Sequence, residues 1–432
     1  MKVIIIGAGL AGLGAGLELK KRGIDFEIIE ASEAPGGLAK TDVIENSFFD
    51  YTGHFLHVKT DEGYQDLIES TVPFIKIEKK SAVLINSKII PYPLQYNLSH
   101  LEIGDVTNIL SEIDNIESVD QKIPVDTLTE FIEKHFGKTL CNMFFKPYNE
   151  KLWGTRLEML PKDCLGNYFP KIDTSLLREG CKQDTKYTGY NDFFYYPAAG
   201  QMGLLPDNLA LNIKDKIKYS TKLVRVDHTQ KICYDSNGNE YQYDYLITSI
   251  PLNSLADAIG DINIRPKFMF TSLKNIRIII KGQLLHSYHW FYIPDKNLPF
   301  YRIGFPQNVV KETCPDGYTS ISVEVEINNC KLLSDKDIAS SVIDYLTTYN
   351  LICAKEILSV TSKLISPAYT YSPSGDTKTI NDLLKFLKTY NIISVGRYGL
   401  WKYFSMEEAY LSGKDAVKSL FSYGKNPLKQ II

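Results

Sequence analysis

Three groups of residues in this chain have the types and spacing to do chemistry. The first is Gly7-Ala8-Gly9-Leu10-Ala11-Gly12, which follows the apolar run Val3–Ile6 at once and opens a helical stretch over residues 13–22. Gly7 suits a tight turn and Gly9 lets backbone approach a pyrophosphate. Gly12 lets the helix pack closely on the strand, with the free N–H groups of the helix N-terminus facing the phosphates. A second strand, residues 25–29, ends in Glu30, about the right distance on for a carboxylate to accept hydrogen bonds from an adenosine ribose. Strand, glycine turn, helix and acidic residue in that order predict a dinucleotide site rather than an ordinary glycine-rich turn.

The second group is basic. Lys and Arg number 48 against 51 Asp and Glu, a formal charge of −3, and they are scattered. Neither a nucleic-acid surface nor a polybasic membrane surface is expected, so an anionic ligand must be met by a few placed residues. Arg302, in Phe300-Tyr301-Arg302, and Arg397, after Gly396 and six residues before Tyr403, are the two that a family resemblance implies for this. A planar guanidinium makes bidentate bonds to phosphate oxygens, and tyrosine hydroxyls add neutral donors. The third group is aromatic. Trp153 stands among charged and polar residues in the segment 147–161, where a large ring is either helix core or a flat surface offered to a ligand.

The elements that must position these groups follow from length and pattern. At 432 residues the chain can bury a large core and divides into about two or three domains. Residues 60–196 carry helical patterns, such as 61–69 and 127–136, interrupted by Pro91, Pro93 and Pro147. Residues 266–330 alternate, for example 276–280 and 320–328, which suits an antiparallel sheet with one open face. Near the end, a short apolar strand runs into Gly396-Arg397 and an aromatic loop, then a helix opened by the capping box of Ser405 and Glu408. The seven cysteines are odd in number and widely spaced, with no C-x-x-C and no histidine cluster. Reduced thiols in a cytosol are expected, and no metal site. No run approaches transmembrane length, and the expected location is the cytoplasm.

After Glu30 and Ala31 comes a second glycine pair, Gly36-Gly37, followed by Leu38. This arrangement resembles the glutathione-reductase-like flavoproteins, in which the first βαβ unit and the glycine pair bind FAD. The resemblance implies a flavin held by Gly7, Gly9, Leu10, Ala11, Gly12, Glu30, Ala31, Gly37 and Leu38, with Leu223 beside the adenine. The closing motif, Gly396-Arg397 through Tyr403-Phe404-Ser405-Met406, resembles that of the flavin amine oxidases and implies flavin contacts there. The helix N-terminus at Ser405 would stabilise an anionic reduced flavin. The implied architecture is α/β. A Rossmann-type FAD domain (1–59, 197–262 and 388–432) carries a mainly helical insertion (60–196) and an antiparallel β substrate domain (263–387).

Tyr148-Asn-Glu-Lys-Leu-Trp153-Gly154 resembles the signature of the UDP-galactopyranose mutases, and further segments follow in order. Gly53-His54-Phe-Leu-His57 resembles their segment beside the flavin ring. Gln95, after Pro93, stands where they place a substrate-facing Asn, and Tyr369 falls in a looser echo of their Tyr-Tyr-Pro that ends at Pro373. Arg302, Arg397 and Tyr403 resemble their diphosphate ligands.

What this resemblance implies is a substrate site of Gln95, Tyr148, Trp153, Arg302, Tyr369, Arg397 and Tyr403, with Arg302, Arg397 and His57 carrying catalysis. A basic residue beyond Pro161, Lys171 or Arg178, would close on the diphosphate. The implied reaction interconverts pyranose and furanose forms of UDP-galactose or a related sugar, with N5 of reduced FAD as nucleophile and no net redox. The partners would be a nucleotide sugar and a reductant not yet identified, with assembly as a homo-oligomer left open. The segment 196–210 looks more like the amine oxidases and protoporphyrinogen oxidases. An FAD-dependent oxidase or desaturase is therefore the alternative, and a flavoprotein retained for binding alone is a third reading.

Overall fold

The computed structural model describes residues 1–421 except 54, 119–124, 163, 165–172, 186–191, 261 and 373–375. His54, Tyr168, Lys171 and Pro373 therefore lie outside the described residues.

The N-terminal glycine motif sits in a five-stranded parallel sheet. Its strands run in the order Ile392–Ser394, Tyr245–Thr248, Val3–Ile6, Phe26–Ile29 and Ile217–Lys218. Val3–Ile6 is central and buried at every position, as an unbroken apolar run in a parallel sheet requires. The strand leads through the glycines into the helix Leu10–Lys21, against which the last helix, Met406–Phe421, packs. That crossing is set by two glycines. A Cβ at Gly14 would collide with the Tyr410 carbonyl, and one at Gly413 with the Ala11 carbonyl. The close approach carries the start of the last helix beside the first glycine turn, a placement that no local stretch of sequence dictates.

A seven-stranded sheet forms the other half, in the order Ile352–Ile365, Leu273–Leu284, Tyr318–Glu326, Phe300–Gly304, Trp290–Tyr292, Ser81–Ile85 and Lys88–Pro91. Its last two strands come from the span expected to be mainly helical. The helices there are Ile103–Ser118, Leu128–Leu140, Lys146–Trp153 and Thr174–Gly180. They pack around Leu94, Ile109, Ile132, Phe136 and Trp153.

The expectation of a sheet with one open face is corrected. Ile276 to Ile280 are buried without interruption, and so are Val323 to Glu326. One face is covered by the helix Asp335–Thr348, through Ile338, Val342 and Leu346. The other meets the hairpin of Thr41–Ile44 and Ser47–Asp50, where Arg277 Nη1 donates to Asp42 Oδ2 at 2.7 Å and Asn275 donates to the Tyr51 carbonyl at 2.9 Å. Exposed positions recur along the edge strand Ile352–Ile365. Among the described residues no helix is long and apolar enough to cross a membrane, no His, Cys, Asp and Glu group could hold a metal, and Cys141, Cys164, Cys181, Cys233, Cys314 and Cys353 are free thiols.

Candidate active site

The two glycine segments meet. Gly36 N donates to the Ala8 carbonyl at 2.8 Å, and Gly9 pairs with Gly36 in a short parallel bridge. Glu30, 8% exposed, is fixed beneath them: Ala8 N donates to its Oε2 at 2.7 Å and Ser32 N to its Oε1 at 2.8 Å. The helix that follows begins at Gly9 with no side-chain cap and no acidic residue in its first turn. Its N-terminal amides and dipole are therefore left for an anion supplied from outside the helix.

These segments line one open cleft. Its walls include Gly7, Gly9, Leu10, Ala11, Glu30, Gly37, Leu38 and Gly53 from the N-terminal half, and Gly396, Arg397, Tyr403, Phe404, Ser405 and Met406 from the C-terminal motif. Three expected contacts are absent from this lining. Gly12 is taken up by close packing on the Gly7 carbonyl, Ala31 is on the surface rim, and Leu223 is engaged in the strand Leu223–Asp227 opposite Asp235. At the far end the capping box is present, with Ser405 N donating to Glu408 Oε2 at 2.7 Å and Glu408 N to Ser405 Oγ at 3.1 Å. It consumes two of the amides that the helix start was expected to offer.

Arg302 and Arg397 converge on one end of the cleft. Arg302 projects from Phe300–Gly304, and its Nη2 donates to Glu324 Oε1 on the neighbouring strand. Burial opposes the Arg302 charge, but Glu324, Tyr369 and Tyr148 together outweigh it and hold the guanidinium charged. Arg397 donates to the Ala368 carbonyl at 3.1 Å and to the Phe404 carbonyl at 3.4 Å. It lies over the rings of Tyr403, at 4.3 Å, and Tyr369, at 5.3 Å, two rings stacked 6.0 Å apart. Burial pushes the Tyr369 phenol up, with both arginines pulling the other way. Tyr148, Tyr292 and Tyr301 complete the cluster, with Tyr148 edge-on to Tyr292 at 5.4 Å and to Tyr301 at 6.1 Å. Burial raises these phenols too, so near neutral pH each is a protonated donor.

Trp153, Tyr148, Tyr369 and Gln95 stand behind the cleft lining. Trp153 is 1% exposed and packs against Tyr369 at 5.6 Å and Tyr371 at 5.5 Å. Its indole backs the Tyr369–Tyr403 stack, one layer behind the open wall expected of it. Gln95, also 1% exposed, has both amide atoms buried without a partner, as have Trp153 Nε1, Tyr301 Oη and Glu324 Oε2. Such a concentration of unmatched polar atoms is unusual in a core. His57 lines the cleft beside Gly53. It shares a 3.1 Å hydrogen bond with the Phe193 carbonyl through Nδ1, so Nδ1 is the donor and Nε2 stays an acceptor. Burial pulls its pKa down to about 4. Arg178 is away from the cleft, with Nη2 bonded to Asp114 Oδ1 at 2.7 Å.

Sequence reading missed Glu324, Lys79, Tyr92, Trp290 and Tyr292. Glu324 is opposite Arg302 and Tyr292 is paired with Arg302 in strand register. Once the sheet order is known, that pairing is the signal that finds them.

Comparison with known proteins agrees with this architecture. Residues 5–69 match the family described as NAD(P)-binding Rossmann-like domain. A reduced UDP-galactopyranose mutase of known structure superposes with a TM-score of 0.90 at 24% identity, over 98% of this chain and 94% of that one. The fold is that of UDP-galactopyranose mutase.

Two curated relatives are named as oxidases. One is the "Probable flavin-containing monoamine oxidase A" of Dictyostelium discoideum, 23% identical over 276 residues. The other is protoporphyrinogen oxidase 2 of Arabidopsis thaliana, 22% identical over 299 residues. In each case 58% of this chain matches, and the chain spans 57% of the relative's length. The mutase fold, by contrast, is matched along nearly the whole chain, including the sheet that carries Arg302.

Proposed function

We propose that this chain is an FAD-dependent nucleotide-sugar mutase that interconverts pyranose and furanose forms of UDP-galactose or a related sugar. The observation that carries the reading is the convergence of Arg302 and Arg397 on the Tyr369–Tyr403 pair, at the end of a cleft that begins at the glycine turn. Two fixed guanidiniums flanked by protonated phenols suit a diphosphate. A cationic amine has no use for them.

The lining residues fit FAD. The uncapped helix start at Gly9 suits its pyrophosphate and Glu30 its ribose. The aromatic loop and the amides near Met406 suit the ring system. When bound and reduced, FAD supplies a nucleophile, N5, for the anomeric carbon, and an external reductant must provide its electrons.

The protein's own work is binding and exclusion. Arg302 and Arg397 hold UDP as it leaves and returns, so the sugar is not lost between ring forms. Tyr292 and Tyr403, which line the cleft, are placed to donate neutral hydrogen bonds without adding charge, with Tyr148 and Tyr369 packed against them. Neutral His57 presents Nε2 as an acceptor and does not compete with the arginines for phosphate.

The oxidase reading is kept because of the two curated relatives. Anaerobic mixing of the oxidised yellow protein with UDP, an amine or a porphyrinogen separates the two. For a mutase, UDP perturbs the flavin spectrum and neither reductant bleaches it. Bleaching by an amine or porphyrinogen, with no response to UDP, favours the oxidase.

A further inference from the structure

One cation in the cleft is left over from this assignment. Lys79 lies between the strands Phe74–Glu78 and Ser81–Ile85 and lines the cleft with His57, Tyr92 and Tyr292. Its backbone is pinned, N donating to the Asp192 carbonyl at 2.8 Å. Its ammonium lies 5.3 Å from the Tyr92 ring centre and forms no ion pair or hydrogen bond among the described residues. Arg302 has Glu324, and Arg397 has two carbonyls and three rings. Lys79 has only the distant carboxylate of Asp192, which does not compensate for burial, so its pKa falls to about 8.

Position separates Lys79 from the diphosphate end. The rings of Tyr92 and Tyr292 lie 4.7 Å apart, so the Tyr92 ring stands between Lys79 and Tyr292, the strand partner of Arg302. The charge of Lys79 is felt instead by His57, on the segment assigned to the flavin-ring end. A half-buried ammonium facing a cleft without a counterion favours an anionic group on whatever enters. At this end, the part of a nucleotide sugar that enters is the sugar.

We propose that Lys79 selects nucleotide sugars whose sugar ring carries a carboxylate, that is, hexuronic acids, by pairing its ammonium with that carboxylate. This rests on the nucleotide-sugar reading above. Such a charge-assisted bond favours the uronate over the neutral sugar by about tenfold or more. The preference declines as pH rises through about 8, where the ammonium is lost.

The test is anaerobic titration of the dithionite-reduced holoenzyme with UDP, UDP-galactose and UDP-galacturonate, followed by flavin absorbance, for wild type, Lys79→Met and Lys79→Arg. The expected result is a dissociation-constant ratio, galactose over galacturonate, of about ten or more in wild type. The ratio should be near one in K79M and partly restored in K79R. A wild-type ratio near one, or the same ratio in K79M, overturns the proposal. Equal weakening of UDP alone in K79M also overturns it, by placing the lysine on the diphosphate. A flavin spectrum that responds to none of the three ligands overturns the nucleotide-sugar reading itself, and this inference with it.

Discussion

Arg302 and Glu324 stand opposite each other on adjacent antiparallel strands, and the guanidinium donates to a carboxylate that is 2% exposed. Glu324 also accepts from Gly53 N at 3.3 Å, so one buried anion ties the substrate sheet to the loop beside the cleft. Removing one partner of a buried pair strands the other charge. Glu324→Leu is therefore expected to cost about 3–5 kcal/mol of stability, read as a lowered midpoint in urea. Glu324→Gln, which keeps an acceptor for Gly53, should cost less. A Glu324→Gln midpoint equal to that of the wild type would show that the pair's charge is irrelevant.

Arg302→Lys keeps the charge and loses the planar fork. UDP affinity is expected to fall about tenfold or more, a loss of roughly 1.4 kcal/mol. Isothermal titration of the flavin-loaded protein reads it directly. An unchanged dissociation constant would remove Arg302 from the diphosphate site.

Gly9 and Gly12 are expected to fail differently. A Cβ at Gly9 meets only Gly37 Cα, at 3.9 Å, whereas one at Gly12 collides with the Gly7 carbonyl. Gly9→Val should fold and lose its yellow colour, because the side chain fills the space of the pyrophosphate. Gly12→Val should lose soluble protein altogether. Circular dichroism and the flavin-to-protein absorbance ratio distinguish the two outcomes.

Acid sensitivity follows from three histidines. Burial lowers His57, His286 and His289 to about 4, and Lys80 N donates to His289 Nδ1 at 3.2 Å. The unfolded chain binds their protons near pH 6.5. Their contribution is thus complete above that value and is lost as pH falls toward 4. Asp50 works the other way: burial raises it to about 6, so acid relieves its cost. With three groups against one, the thermal midpoint should fall between pH 6.5 and 5. His289→Gln should flatten that slope. A midpoint that rises over this interval contradicts the assignment.

Trp153 is expected to matter through Tyr369. Trp153→Ala removes a fully buried ring and should cost about 3–5 kcal/mol. Trp153→Phe should keep most stability and weaken UDP binding less than Arg302→Lys does. A larger loss of affinity in the Phe variant would put the indole itself against the nucleotide.

The dinucleotide half of the site was legible because its signals are local. Gly7, Gly9 and Glu30 act through a strand, a turn and a helix that are contiguous in sequence, and they line the cleft where their spacing puts them. The capping box at Ser405 was legible for the same reason. Glu324 and Lys79 were not, because their meaning depends on strand register and on which loops face one cleft. The open sheet face was misjudged because Arg277 and Asn275, polar in the sequence, point into a buried joint with the hairpin at Asp42 and Tyr51. Trp153 was expected against the substrate, but its depth behind Tyr369 is a property of packing that no local pattern encodes.

The most direct measurement of the central claim is anaerobic incubation of the purified protein with UDP-galactofuranose, oxidised in one vessel and dithionite-reduced in the other, with products resolved by chromatography. The expected result is conversion to UDP-galactopyranose in the reduced vessel alone, with no net change in flavin redox state. No conversion in the reduced vessel, extended to UDP-galacturonate in its pyranose form, would contradict a mutase.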